Sequence, residues 1–123
     1  MKAYEVVVYL ASPYRAEGEW RVRQNVEAAH VKARELWGRG IPTISPCSNT
    51  ALFGGPDIPD ETWLAGDLCI LAKCDAILLS GDWNNSSGCK DEAGFARAHD
   101  IPIFTSATSL CKWVRANFHA EVY

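Results

Sequence analysis

A strong charge of either sign is missing from this chain. Twelve Lys and Arg stand against fifteen Asp and Glu, a formal net charge of −3. Phosphate polymers and anionic membranes demand a basic surface, so neither is expected as a partner. A small phosphorylated ligand stays open, because a few backbone N–H groups and one Arg can hold it. Also absent is any apolar run approaching the ~20 residues that a membrane helix requires. No Cys-x-x-Cys occurs, and the cysteines (Cys47, Cys69, Cys74, Cys89, Cys111) are odd in number, which argues against a disulfide framework. His30, His99 and His119 do not group with them at ligand spacings, so no structural metal is expected, nor any other cofactor. Reduced thiols and an N-terminus that does not read as a signal peptide lead to the expectation of a cytoplasmic protein. There is no internal repeat, linker or low-complexity tract, and 123 residues suit a single domain spanning 1–123.

What is present is an alternation. Val6 to Ala11 is a continuous apolar run with a β-branched triplet, the mark of a central strand buried on both faces. Ser12-Pro13-Tyr14-Arg15 ends it, since proline cannot continue a ladder. From Glu19 to Trp37, Val22, Val26, Ala29, Ala33 and Leu36 recur three or four apart and predict an amphipathic helix. Ile41-Pro42-Thr43-Ile44 reads as a second strand, placed at an edge by its proline. The loop from Ser45 to Pro59 is longer than a connection needs, a property of functional lids. Asp60 reads as the N-cap of a helix over 61–73. Ala76 to Leu79 is the third strand, with a helix from about Asp91 to His99 after it. Residues 100–104 make a fourth strand, and Thr108 or Ser109 starts the last helix. Strands alternating with helices predict a doubly wound α/β domain, a parallel sheet of four or five strands with helices on both faces. In such sheets ligands bind beyond the carboxyl ends of the strands. That rule brings Tyr9 and the Ser12–Arg15 turn, the Ser45–Asn49 segment and the 82–88 loop toward one crevice.

The stretch from Asp75 to Ala96 concentrates the chemistry. An apolar strand turns through Ser80-Gly81 and a small polar loop, then enters a helix. Free N–H groups at such a helix start suit an anion or a sugar hydroxyl. Ser86, Ser87 and Gly88 lie in the loop, and Glu92 is expected in or near the first helical turn, where the dipole favours its ionised form. An ionised carboxylate at the mouth of a pocket is a competent nucleophile. The same residues equally make an ordinary helix start, with Ser87 as N-cap and acids in the first turn.

Several ordered blocks resemble the nucleoside 2-deoxyribosyltransferase superfamily, including its 2′-deoxynucleoside 5′-monophosphate N-glycosidases. They are Val8-Tyr9-Leu10-Ala11-Ser12-Pro13-Tyr14-Arg15, Gly66-Asp67-Leu68 with Cys74-Asp75-Ala76, and Ser86-Ser87-Gly88-Cys89-Lys90-Asp91-Glu92-Ala93-Gly94-Phe95-Ala96. Ser45-Pro46-Cys47-Ser48-Asn49-Thr50-Ala51-Leu52-Phe53 resembles an uncharacterised 2-deoxyribosyltransferase-like branch of it. The resemblance implies a flavodoxin/Rossmann-like, three-layer αβα fold and cleavage of an N-glycosidic bond by hydrolysis or base transfer. It implies Glu92 as the nucleophile that forms a glycosyl–enzyme ester, Tyr9 as the group orienting it, and Asp67 as the residue assisting departure of the base. Ser86, with the backbone of Tyr14 and Arg15, would hold a 5′-phosphate. Serine at position 86 is the residue of the nucleotide-hydrolysing relatives, whereas a carboxylate there would repel phosphate. Ser12 and Gly88 belong to the same binding loops, Asn49 is a candidate base contact, and Trp83 or Trp63 could wall the base by stacking. A homodimer or higher homo-oligomer is implied as well.

The residue types suit that reaction. Breaking the bond develops positive charge on the sugar, which a carboxylate beneath it stabilises or captures. Two acids with different tasks need different environments, Glu92 ionised and Asp67 raised by desolvation. Against these readings stand plainer ones: Asp67 facing water, Tyr9 as a core tyrosine with a satisfied hydroxyl, Ser86 and Arg15 in a solvated turn, and the tryptophans as packing. Two rival functions also stand, a nucleotide-sensing module without turnover and a ribonucleotide phosphoribohydrolase with a similar glycine-to-glutamate loop.

Overall fold

The computed structural model describes residues 2–46 and 57–122. Asn49, Cys47 and most of the long loop after Ser45 therefore lie outside the described residues. The order is β1 (Lys2–Tyr4), β2 (Val8–Ala11), α1 (Glu19–Gly38), β3 (Thr43–Ile44), α2 (Asp60–Leu71), β4 (Ala76–Leu79), a 3-10 turn (Trp83–Asn85), α3 (Ser87–Ala98), β5 (Ile103–Phe104), α4 (Ala107–Asn117) and β6 (Ala120–Val122). Four strands form a parallel sheet in the order β3-β2-β4-β5, so the two fully apolar runs occupy its centre. β3, which Pro42 immediately precedes, lies at an edge, where a residue without an N–H leaves no gap in the ladder.

Side-chain alternation sorts the central strands into two cores. Val8, Leu10, Ala76 and Leu78 face Leu36 of α1 and Leu110, Cys111 and Val114 of α4. Tyr9, Ala11, Ile77 and Leu79 face Leu71 of α2 and Cys89, Ala93 and Ala96 of α3. The molecule is thus a three-layer αβα fold with helices on both faces of its sheet.

Local differences from the sequence reading have physical causes. The first strand of the sheet begins at Val8 rather than Val6, because the Val7 N–H is taken by Asp75 Oδ2 at 2.8 Å. Likewise the second and fourth strands shorten to two residues each. Pro59, not Asp60, holds the N-cap position of α2, and Asp60 enters its first turn. α3 starts a full turn before Asp91: Ser86 is its N-cap, its Oγ accepting from the Cys89 N–H at 3.2 Å. For α4 the cap is Ser106, which accepts from the Ser109 N–H.

The pattern did not foretell a two-stranded antiparallel ribbon of β1 and β6, with Lys2 opposite Val122. It lies at the amino end of the sheet, where Tyr4 N–H donates to Gly40 O at 2.8 Å and Glu5 N–H to His119 O at 2.9 Å. Among the described residues no helix is long and apolar enough to cross a membrane.

Candidate active site

β2 and β4 are neighbours whose chains leave the sheet toward opposite edges, and the crevice beyond their carboxyl ends follows from that divergence. Pro13 and Gly81 meet there. Gly81 holds φ +65°, and a Cβ on it would stand 3.5 Å from the Pro13 ring. At this end of the sheet opens a cavity of about 810 Å³. The turn after β2 supplies Ser12, Tyr14 and Arg15, α2 supplies Asp60, Trp63 and Asp67, and the start of α3 supplies Ser86, Gly88 and Glu92.

Glu92 sits in the second turn of α3, not the first, and is only 8 % exposed. Tyr9, on the sheet beneath it, is fully buried, and its hydroxyl donates to Glu92 Oε2. This carboxylate is therefore not held ionised by a helix dipole as the sequence suggested. Burial pushes its pKa up to about 7, against the opposing pull of the Tyr9 hydrogen bond and with help from the charge of Asp67. Burial and the adjacent carboxylate drive the Tyr9 hydroxyl well above the usual phenol range, so it stays a proton donor. Asp67 is partly buried on α2, and desolvation raises its pKa as well. The arrangement is a carboxylate near its midpoint at neutral pH, a fixed donor behind it and a second acid in the same hollow.

Ser86 lines the cavity while capping α3. With its oxygen accepting from Cys89, its proton remains available to a ligand. By helix geometry the N–H groups of Ser87 and Gly88 lack intrahelical acceptors. A Cβ at Gly88 would meet only Ser86 Oγ, at 3.9 Å, so the fold itself does not require glycine there. Ser12 Oγ is buried beside the cavity with no hydrogen-bond partner. The Tyr14 carbonyl, expected near a phosphate, accepts from Asn25 Nδ2 at 3.0 Å. Arg15 is paired with Asp60 at 2.6 Å.

Trp83 is not among the cavity-lining residues. It packs against the α2/α3 core, because the 3-10 turn folds it inward; Trp63 is the tryptophan that faces the cavity. Cys89 and Asn85, which the sequence did not mark for the site, also line the cavity; Cys89 is buried, and burial pushes its thiol up to about 11. Nothing in their local pattern marks either. A second cavity of about 550 Å³, between α1 and β3, is lined by Ser45, which the sequence reading brought to the crevice; of that segment's described residues Pro46 lines the main cavity. No group of three or more His, Cys, Asp or Glu at metal-holding geometry occurs among the described residues.

The chain matches no protein-family profile and no curated protein. Among solved structures it is similar to the 2-deoxyribosyltransferase of the psychrotolerant bacterium Bacillus psychrosaccharolyticus, a biocatalyst for nucleoside synthesis. The likeness has a TM-score of 0.55 and 24% identity, and covers 79% of this chain and 69% of that one. At that identity it establishes a common fold.

Proposed function

We propose that this protein cleaves the N-glycosidic bond of a 2′-deoxynucleoside 5′-monophosphate through a glycosyl–Glu92 intermediate. The observation that carries the reading is the Glu92 carboxylate, held from behind by the buried Tyr9 hydroxyl and opening onto a cavity that Asp67 also lines. A Glu92 oxygen attacks C1′ as the C1′–N bond breaks, and that electron pair leaves with the base. Asp67, which lines the same cavity, assists departure of the base by holding it through a hydrogen bond, and the departing nitrogen takes its proton from water. Water or a second base then attacks C1′, breaks the ester bond to Glu92 and gives up one proton to solvent, giving hydrolysis or base transfer. Tyr9 positions the carboxylate and stabilises its charge before attack. Ser86, the start of α3 and Arg15 would receive the 5′-phosphate, and Ser12 and Gly88 border the sugar. The fold shared with a 2-deoxyribosyltransferase supports the same chemistry. Trp20, Val31 and Trp37, left exposed on α1, favour association of two or more copies.

The test is a panel of deoxy- and ribonucleotides and their nucleosides, with and without a free acceptor base, read by chromatography. Base release from a deoxynucleoside monophosphate is expected, rising with pH through about 7 as Glu92 ionises. It should fall at least ~10³-fold in Glu92→Ala, the scale of losing a nucleophile. Release that survives this substitution would remove the mechanism. No release from any substrate would leave a nucleotide sensor, and release from ribonucleotides alone a phosphoribohydrolase.

A further inference from the structure

Five carboxylates line the cavity among the described residues: Asp60, Glu61, Asp67, Asp91 and Glu92. Arg15 is the single cation among them. A ligand bearing a phosphate therefore has one guanidinium to address, and that guanidinium is already held. Arg15 Nη2 stands 2.6 Å from Asp60 Oδ1, joining the turn after β2 to the first turn of α2. The side chains are 73% and 71% exposed, so water screens the pair and it opens readily.

The geometry points to Asp60 as the specificity-determining residue of this cavity, its carboxylate competing with the 5′-phosphate of a nucleotide for Arg15. The inference rests on the nucleotide reading above. A phosphate monoester carries about −1.5 to −2 charges at neutral pH and can take a guanidinium bidentately, so it displaces a single carboxylate. Once displaced, Asp60 remains beside the phosphate without its counter-ion and repels it. A nucleoside, with a neutral 5′-hydroxyl, makes no demand on Arg15 and meets no such repulsion. Asp60 thus narrows the advantage that the phosphate would otherwise confer. Were Asp60 instead a brace that aims Arg15 at the ligand, its removal would weaken nucleotide binding. The two roles predict opposite signs.

Calorimetric titration separates them without turnover. The four common 2′-deoxynucleoside 5′-monophosphates and their nucleosides would be titrated into Glu92→Gln protein, with and without Asp60→Asn, and again with Arg15→Gln added. The expected result is a rise of about three- to tenfold in the monophosphate-to-nucleoside affinity ratio on Asp60→Asn, absent when Arg15 is Gln. A ratio that falls or does not move would overturn the inference, as would the absence of binding by all eight ligands in every form. Tight monophosphate binding without base release by the unsubstituted protein would overturn the glycosidase reading alone and leave the role of Asp60 standing.

Discussion

Glu92 pays for its readiness in stability. Its ordinary pKa of 4.5 rises to about 7 in the folded chain, chiefly through burial. The folded state therefore holds the proton more tightly than the unfolded one, and stability falls as pH climbs from about 4.5 through about 7. Glutamine at this position keeps an acceptor for the Tyr9 hydroxyl and removes the charge. Glu92→Gln should raise the unfolding free energy by ~3 kcal/mol at pH 8 and by under ~1 kcal/mol at pH 5, measured by urea denaturation. Equal gains at the two pH values would show that the carboxylate is not desolvated. The sequence marks Glu92 through its setting, a small-residue loop entering a helix. It could not give the environment, because the residue that buries and binds this carboxylate lies 83 positions away. Asp67 was easier to judge, since one partly buried acid on a helix wall is raised by desolvation whatever its partner.

At the scale of elements, α3 does two tasks with one residue. Ser86 caps the helix and faces the cavity. Ser86→Ala should cost ~1 kcal/mol of stability through the lost cap, seen as a lower thermal midpoint. Ser86→Asp separates the tasks, because aspartate caps as well as serine while its charge opposes a phosphate. Near-native stability with weakened nucleotide binding is the expected outcome. A stable variant whose nucleotide affinity is undiminished would take Ser86 out of the phosphate site. The helix itself was plain in the sequence, but its start was not. Acids at 91 and 92 imitate a first turn, whereas the cap bond of Ser86 begins the helix earlier and puts them in the second. Trp83 misleads for a similar reason: beside a polar loop it looks available, yet from the short turn over Trp83–Asn85 it packs, partly buried, against the core.

Over the whole molecule, the alternation of apolar runs and helical spacing was enough to read a doubly wound sheet, since the two central runs are buried on both faces. The β1–β6 ribbon was illegible because each strand is three residues long and its pairing joins the two ends of the described chain. It is fastened to the domain at Gly40, which holds φ +78° and would place a Cβ 2.9 Å from the Lys2 carbonyl oxygen. Gly40→Ala combines a disfavoured backbone conformation with that overlap, and should lower the unfolding free energy by ~2 kcal/mol or more. Denaturant unfolding measures the loss, and a change within ~0.5 kcal/mol would mean that the ribbon yields freely. The same ribbon lies at the amino end of the sheet, on the side remote from the crevice. A bulky label fixed on β1 would accordingly leave the mouth of the cavity unobstructed.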